Sequence, residues 1–258
     1  MIVPFVTCLC PTYQRPRLLE NAIACFCEQE YPANRRALVI LDDAGQIRPQ
    51  HGNGWELHSR SERFASLPDK YNALAALADP ATDLFAIWED DDIYLPHHLS
   101  AHAAALSRRT GTPQRPLPLW SKPSRVLSLY TGKPEQENAS GRFFASIAVT
   151  RELWRHVGGI PNTRRADFDQ QFMAALLRAN GPAADPLDFS PQRTPGYCFR
   201  WASTDAYHGQ ALMQSPEDVT WYERCQKSSP GPIDHLSPAP DAETRATTQI
   251  CCQPKILF

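Results

Sequence analysis

Hydrophobic residues fall into short blocks along the first part of this chain, and polar residues recur at the ends of those blocks. Val3 to Cys10 is an apolar, β-prone run that stops at Pro11-Thr12-Tyr13. Arg17 to Glu28 carries Leu18, Leu19, Ala22, Ile23 and Phe26 at helical spacing, which predicts a helix with one buried stripe. Ala37-Leu38-Val39-Ile40-Leu41 predicts a second buried strand, closed by Asp42-Asp43-Ala44-Gly45. Asp69 to Leu77 predicts a helix with Tyr71, Leu74, Ala75 and Ala78 along one side. Leu84-Phe85-Ala86-Ile87-Trp88 predicts a third strand, and Pro96 the first turn of another helix, where proline is tolerated. Strands joined by helices imply a parallel sheet with right-handed crossovers, so the fold class is α/β.

The second half is less regular. Leu117 to Tyr130, Phe143 to Val149 and Tyr197 to Trp201 are predicted strands; Arg151 to Val157 and Asp167 to Ala179 are predicted helices. Gly158-Gly159-Ile160-Pro161 marks a turn between the two helices. From about Lys227 onward proline, serine and threonine dominate and periodicity disappears, so residues 227–258 are expected to form an irregular tail.

Composition narrows the functional classes. A chain of 258 residues can bury a sizeable core. A net charge of −2 with 21% charged residues offers no broad basic field for nucleic acid. The chain has no run of about 18 apolar residues, and hence no predicted membrane span. Met1-Ile2-Val3-Pro4-Phe5 lacks the basic and apolar regions of a signal peptide, which gives a cytoplasmic location as the expectation. The eight cysteines form no persuasive framework. Cys8 and Cys10 share a strand face, but Cys25 and Cys27 on a helix are turned about 200° apart, so reduced, packing cysteines are expected. Nothing assigns a role to Cys251-Cys252.

The candidate chemistry lies where strands end. Glu89-Asp90-Asp91-Asp92 places consecutive carboxylates directly after a buried strand, where they repel one another and are costly to desolvate. A solvated acidic turn is the plain alternative. The buried context favours a hard divalent cation, Mg2+ or Mn2+, which takes one or two carboxylates plus substrate phosphates. Continued strand alternation puts Glu89 and Asp91 on one face and Asp90 and Asp92 on the other, so that all four cannot bind one ion. Ligands of parallel sheets sit outside the carboxyl ends of the strands, and Thr12-Tyr13, Asp42-Asp43 and Glu89–Asp92 all fall there.

Cys10-Pro11-Thr12-Tyr13-Gln14-Arg15-Pro16, Val39-Ile40-Leu41-Asp42-Asp43, Lys70-Tyr71-Asn72-Ala73-Leu74 and Trp88 to Pro96 together resemble the inverting nucleotide-sugar glycosyltransferases of family 2, with the GT-A fold. Val157-Gly158-Gly159-Ile160-Pro161, followed by Asp167-Phe168-Asp169, resembles that family's acceptor-side segment. The blocks stand in the family's order across roughly residues 3 to 210. The resemblance implies one catalytic domain over residues 1–226, with a nucleotide-binding half (1–110) and an acceptor-side half (111–226).

It implies a UDP-sugar donor, with Pro11, Thr12 and Tyr13 lining uracil and ribose and Asp43 accepting a hydrogen bond from the base. Arg15 and Lys70 fall beside the nucleotide, Asp90 at the sugar or ribose, and Arg200 where it could pair a phosphate. Asp91 is the implied metal ligand, with Asp92 and a late histidine, His208; Glu89 stands where an aspartate is commoner in the family. Asp167 falls where the family places its general base, with Asp169 the near competitor; helix capping is the alternative reading of both. The implied acceptor is a saccharide, a lipid-linked group or a protein. His98 and His102, spaced as a helical zinc pair but lacking a third ligand, are expected at the surface. A non-catalytic nucleotide-sugar-binding relative is the alternative reading. A metal-dependent phosphohydrolase or nuclease ranks lower, for want of a dispersed histidine set.

Overall fold

The computed structural model describes residues 3–107, 118–128, 135–139, 143–162 and 167–200. Within them, strands β1 (Val6–Thr12), β2 (Arg36–Asp42), β3 (Gln50–Gly52), β4 (Trp55–Ser59) and β5 (Leu84–Ile87) come from the first half. Strand β6 (Ile93–Tyr94) follows the acidic turn. The later strands are β7 (Trp120–Ser121), β8 (Arg125–Ser128), β9 (Glu135–Asn138), β10 (Ala148–Thr150) and β11 (Tyr197–Phe199). The helices are α1 (Pro16–Cys27), α2 (Leu67–Leu77), α3 (His98–Ser107), α4 (Arg151–His156) and α5 (Phe168–Asn180).

The larger sheet has the order β3-β4-β2-β1-β5-β10-β7. β4, β2, β1 and β5 run parallel, while β3 and β10 are reversed. β1 is flanked by β2 on one side and β5 on the other, so the chain winds away from it in both directions, as at the switch point of a doubly wound sheet. The smaller sheet has the order β6-β11-β8-β9. Residues 88–92 therefore bridge two sheets, leaving the larger at Ile87 and entering the smaller at Ile93.

Local chemistry explains these elements. Helix α1 opens on Pro16 and buries Leu18, Leu19, Ala22, Ile23 and Phe26, the stripe its periodicity predicts. Helix α2 is capped by Ser66, whose hydroxyl accepts from the Asp69 N–H at 3.2 Å and donates to Asp69 Oδ2 at 2.7 Å. Pro11 survives in a central strand because its neighbour has gone. Leu9 accepts from the Trp88 N–H on the β5 side, and two residues on, past the last β5 pairing, no partner is denied an N–H.

Two features tie the halves together. The Asn72 side chain donates to the Ile160 carbonyl at 2.8 Å and accepts from the Ile160 N–H at 2.9 Å, clamping α2 to the Gly158-Gly159 turn. Gly159 is at φ +76°, and a Cβ there would lie 2.4 Å from Asn72 Oδ1, so only glycine fits. The buried Gln29 amide holds the Cys25 and Leu95 carbonyls and the Leu99 N–H, joining the end of α1 to β6 and α3.

Several expectations change. Pro96 lies in a turn and α3 begins at His98. The strand expected over Leu117 to Tyr130 is β7 and β8, separated around Pro123, which has no N–H for a ladder. The Phe143 to Val149 strand is a 3-10 turn at Phe144–Ser146 followed by β10. The 227–258 tail and Cys251-Cys252 lie outside the described residues.

Candidate functional site

The site is built on three strand ends. At the end of β1, Thr12 donates its hydroxyl to Asp90 Oδ2 at 2.6 Å, and its carbonyl accepts from Lys70 Nζ at 2.5 Å. Lys70 also pairs with Asp43 Oδ1 beyond the end of β2. Lys70 is buried, not solvated on a helix face, and burial lowers its pKa. Asp43 Oδ2 accepts from the Phe64 N–H at 3.0 Å, which ties the following loop to the site. On that loop the Arg63 guanidinium lies 4.1 Å over the Tyr13 ring. Asp42 faces its own turn, accepting from the Ala44 and Ile47 N–H groups and the Ser59 hydroxyl at 2.9, 3.3 and 3.1 Å.

The acidic residues form a turn rather than a strand extension, and this corrects the alternation expected for them. β5 ends at Ile87, so the period of two stops before Glu89. Glu89, Asp91 and Asp92 instead converge, each offering a carboxylate oxygen within 4.8 Å of the others. An all-oxygen set this compact suits a hard divalent cation. Glu89 is the member whose role the sequence left open; its spacing gave no signal, because the convergence depends on where β5 ends.

Each carboxylate is also held by the protein. Arg15 forks across two of them, Nη1 on Asp91 Oδ2 at 2.5 Å and Nη2 on Asp90 Oδ1 at 2.8 Å. Tyr71 donates to Glu89 Oε1 at 3.2 Å. Tyr197 donates to Asp92 Oδ2 at 2.6 Å, and the Arg200 N–H to Asp92 Oδ1 at 3.0 Å. Burial dominates their ionisation. It raises Asp90 to about 7 against the opposing pull of Arg15, and Asp92 to about 8 with help from Asp91. Glu89 is raised by burial and then by Asp91 and Asp92.

Arg200 is 4% exposed, at the end of β11 beside Asp92, and its Nε and Nη1 have no hydrogen-bond partner among the described residues. A buried guanidinium with open donors suits an anion. Pro11 and Thr12 are buried on β1, and Tyr13 is partly exposed just past its end. His208 lies outside the described residues.

Asp167 is the N-cap residue of α5, but its side chain makes no capping bond; Oδ1 accepts from Gln171 Nε2 at 3.0 Å. Asp169 Oδ1 accepts from the Gln170 N–H at 2.7 Å, a local helix-start contact. The start of α5 reaches the acidic turn through packed rings. Phe168 lies 5.6 Å from Phe144, Phe144 lies 5.4 Å from Tyr71, and Tyr71 bonds Glu89. Tyr71 and Tyr197 carry no sequence signal for this role, since their partners stand 18 and 105 residues away.

His98 and His102 are buried, not at the surface. The side of α3 that the sequence left to solvent packs on β7 and on the 3-10 turn at Pro186–Phe189. Their rings lie 4.6 Å apart; His98 abuts Tyr94, and Tyr94 stacks on Trp88 at 3.7 Å. Burial lowers both pKa values, His102 to about 3, so neutral imidazoles back the wall behind the turn. Cys8, Cys10, Cys25 and Cys198 carry free thiols, as expected.

No protein-family model and no curated protein sequence matches this chain. Solved structures do. A mannosyltransferase from Pyrobaculum calidifontis, in complex with GDP-Man and Mn2+, superposes with a TM-score of 0.55 at 16% identity, covering 87% of this chain and 70% of that one. S. aureus TarS 1-349, in complex with UDP-GlcNAc, gives 0.54 at 11% identity, covering 89% and 68%. The chain therefore has the GT-A-like α/β fold that these structures share. No helix among the described residues is long and apolar enough to cross a membrane.

Proposed function

We propose that this protein is an inverting glycosyltransferase that moves a sugar from a UDP-sugar to an acceptor hydroxyl. The observation that carries the reading is the convergence, at the switch point of the sheet, of the Thr12–Lys70–Asp43 cluster with an acidic turn offering a compact oxygen set. Asp43, anchored by Lys70 and Phe64, presents its remaining acceptor capacity to the uracil N3–H, with Pro11, Thr12 and Tyr13 around the nucleoside. Arg15 and the open donors of Arg200 serve the diphosphate. Asp90, fixed by Thr12, meets the ribose or sugar.

Mg2+ or Mn2+ held by Glu89, Asp91 and Asp92 would neutralise charge on the departing diphosphate. Asp167 takes the acceptor proton as that oxygen attacks the anomeric carbon. The new C–O bond forms as the bond to phosphate breaks, the electron pair leaves with UDP, and the sugar inverts.

The test is a thermal-shift panel of UDP- and GDP-sugars, each with and without Mn2+, followed by transfer assays. Native-state binding raises apparent stability by mass action, so UDP-sugars with Mn2+ should give the largest shifts. Asp167→Asn should cut turnover by about 10²–10⁴-fold with donor affinity unchanged, and Asp169→Asn far less. A dead Asp169→Asn beside an active Asp167→Asn would move the base by two residues. Binding of donor with neither transfer nor hydrolysis would remove the catalytic reading.

A further inference from the structure

Arg15 is placed with more care than a phosphate-binding side chain needs. It is the N-cap residue of α1, and the residue before it, Gln14, is held at φ +55°, a left-handed conformation that glutamine seldom adopts. Arg15 itself points inward. Its two terminal nitrogens each take an oxygen from a different aspartate, Asp91 and Asp90, and the side chain is only 14% exposed. Asp91 is also a member of the compact carboxylate trio. One guanidinium and one dication therefore compete for Asp91, and each repels the other.

Resting on the glycosyltransferase reading above, we infer that Arg15 is the site's tethered counter-cation, which a divalent ion must displace from Asp91, so that metal enters with the diphosphate and not before it. Without ligand, the fork across Asp90 and Asp91 offsets the charge of a turn that would otherwise repel itself. When a nucleoside diphosphate enters, its phosphates give the guanidinium another bidentate anion, and Asp91 is released to the cation. Metal and nucleotide then raise each other's affinity, and by linkage the factor is the same in both directions.

The experiment is a Mn2+ titration of the full chain, with free Mn2+ followed by its EPR signal, with and without UDP. The proteins are the wild type, Arg15→Gln and Arg15→Lys. In the wild type UDP should tighten Mn2+ binding within the usual coupling range of about 5–150-fold. Arg15→Gln should bind Mn2+ without UDP about tenfold more tightly than the wild type, with most of the UDP effect gone. Arg15→Lys, which keeps the charge but loses the fork, should fall between them. A tighter site is a result that mere structural damage does not give. If the wild type binds Mn2+ with UDP while Arg15→Gln binds Mn2+ alone no better than the wild type, the displacement role is overturned and the transferase reading stands. If the wild type takes up no Mn2+ even with UDP, the metal part of that reading falls, and this inference with it.

Discussion

Two acidic turns close the strands that flank β1 in one sheet, and they are satisfied in opposite ways. At the end of β2, Asp42 takes its hydrogen bonds from within its own surroundings: the Ala44 and Ile47 N–H groups and the hydroxyl of Ser59 on the adjacent strand. At the end of β5, the carboxylates of Glu89–Asp92 are held by groups remote in sequence: Thr12, Arg15, Tyr71, Tyr197 and the Arg200 N–H. Nearby backbone donors are cheap to supply and make a rigid corner. Remote side-chain donors hold a carboxylate in place but can let it go to a ligand. The first turn is scaffold; the second is built to change partners.

Breaking the scaffold should therefore cost stability. Asp42→Ala leaves buried donors unpaired and should cost on the order of 3–5 kcal/mol, read from urea melts. A loss below about 1 kcal/mol would mean that water replaces the carboxylate and that the contrast between the turns is false. Asp91→Asn should do the reverse. It should weaken UDP binding in Mn2+ by at least the roughly 10–100-fold that loss of an outer-shell metal partner costs, while Tm holds or rises as repulsion is relieved. Unchanged UDP affinity in Mn2+ would remove Asp91 from the site.

The same contrast decides what the sequence made legible. α1, β2, the buried side of α2 and β5 follow from strong local periodicity and lie within two residues of their expected ends. The scaffold turn is local in its backbone contacts, from Asp42 to Ala44 and Ile47. The acidic turn could be located but not arranged, because its geometry depends on where β5 stops and on a β6–β11 pairing that joins Tyr94 to Tyr197. β4 escaped because Trp55 and Leu57, with Glu56 between them, make too short an alternation; β9, Glu135–Asn138, has no apolar signal at all. The burial of His98 and His102 was hidden for the same reason as the turn: the elements that cover them come later in the chain.

Proton linkage sharpens the comparison at a smaller scale. Burial raises Asp90 to about 7 and Asp92 to about 8 from an ordinary value near 3.8. A raised carboxyl pKa means that the folded state binds more protons than the unfolded chain across that window. Its stabilising contribution is complete below the unfolded value and is lost as pH rises through the folded one. Metal-free protein should thus lose stability as pH rises from about 4 to about 8. For a chain of this size about 1 kcal/mol corresponds to about 2–4 °C in Tm, so the fall is read directly from melts taken across that window. Asp92→Asn, whose amide oxygen still accepts from Tyr197, should flatten the slope. A Tm that climbs over the same window would show that the cluster is already fully compensated.

The smallest expected effect lies on the loop that the scaffold turn holds. Asp43 anchors the Phe64 N–H, and the same loop lays Arg63 over one face of Tyr13. Arg63 is exposed, so the contact with the ring is worth about 0.5–1 kcal/mol. Arg63→Ala should free the ring and weaken UDP binding by about 2–5-fold through lost pre-organisation of the nucleoside pocket. Because this contact belongs to the scaffold side, the loss should be the same with and without Mn2+, and it should appear for uridine as well as for UDP. A loss seen only in the presence of Mn2+ would place Arg63 with the exchanging turn, and the division between a rigid nucleoside corner and a ligand-releasing acidic turn would have to be redrawn at Tyr13.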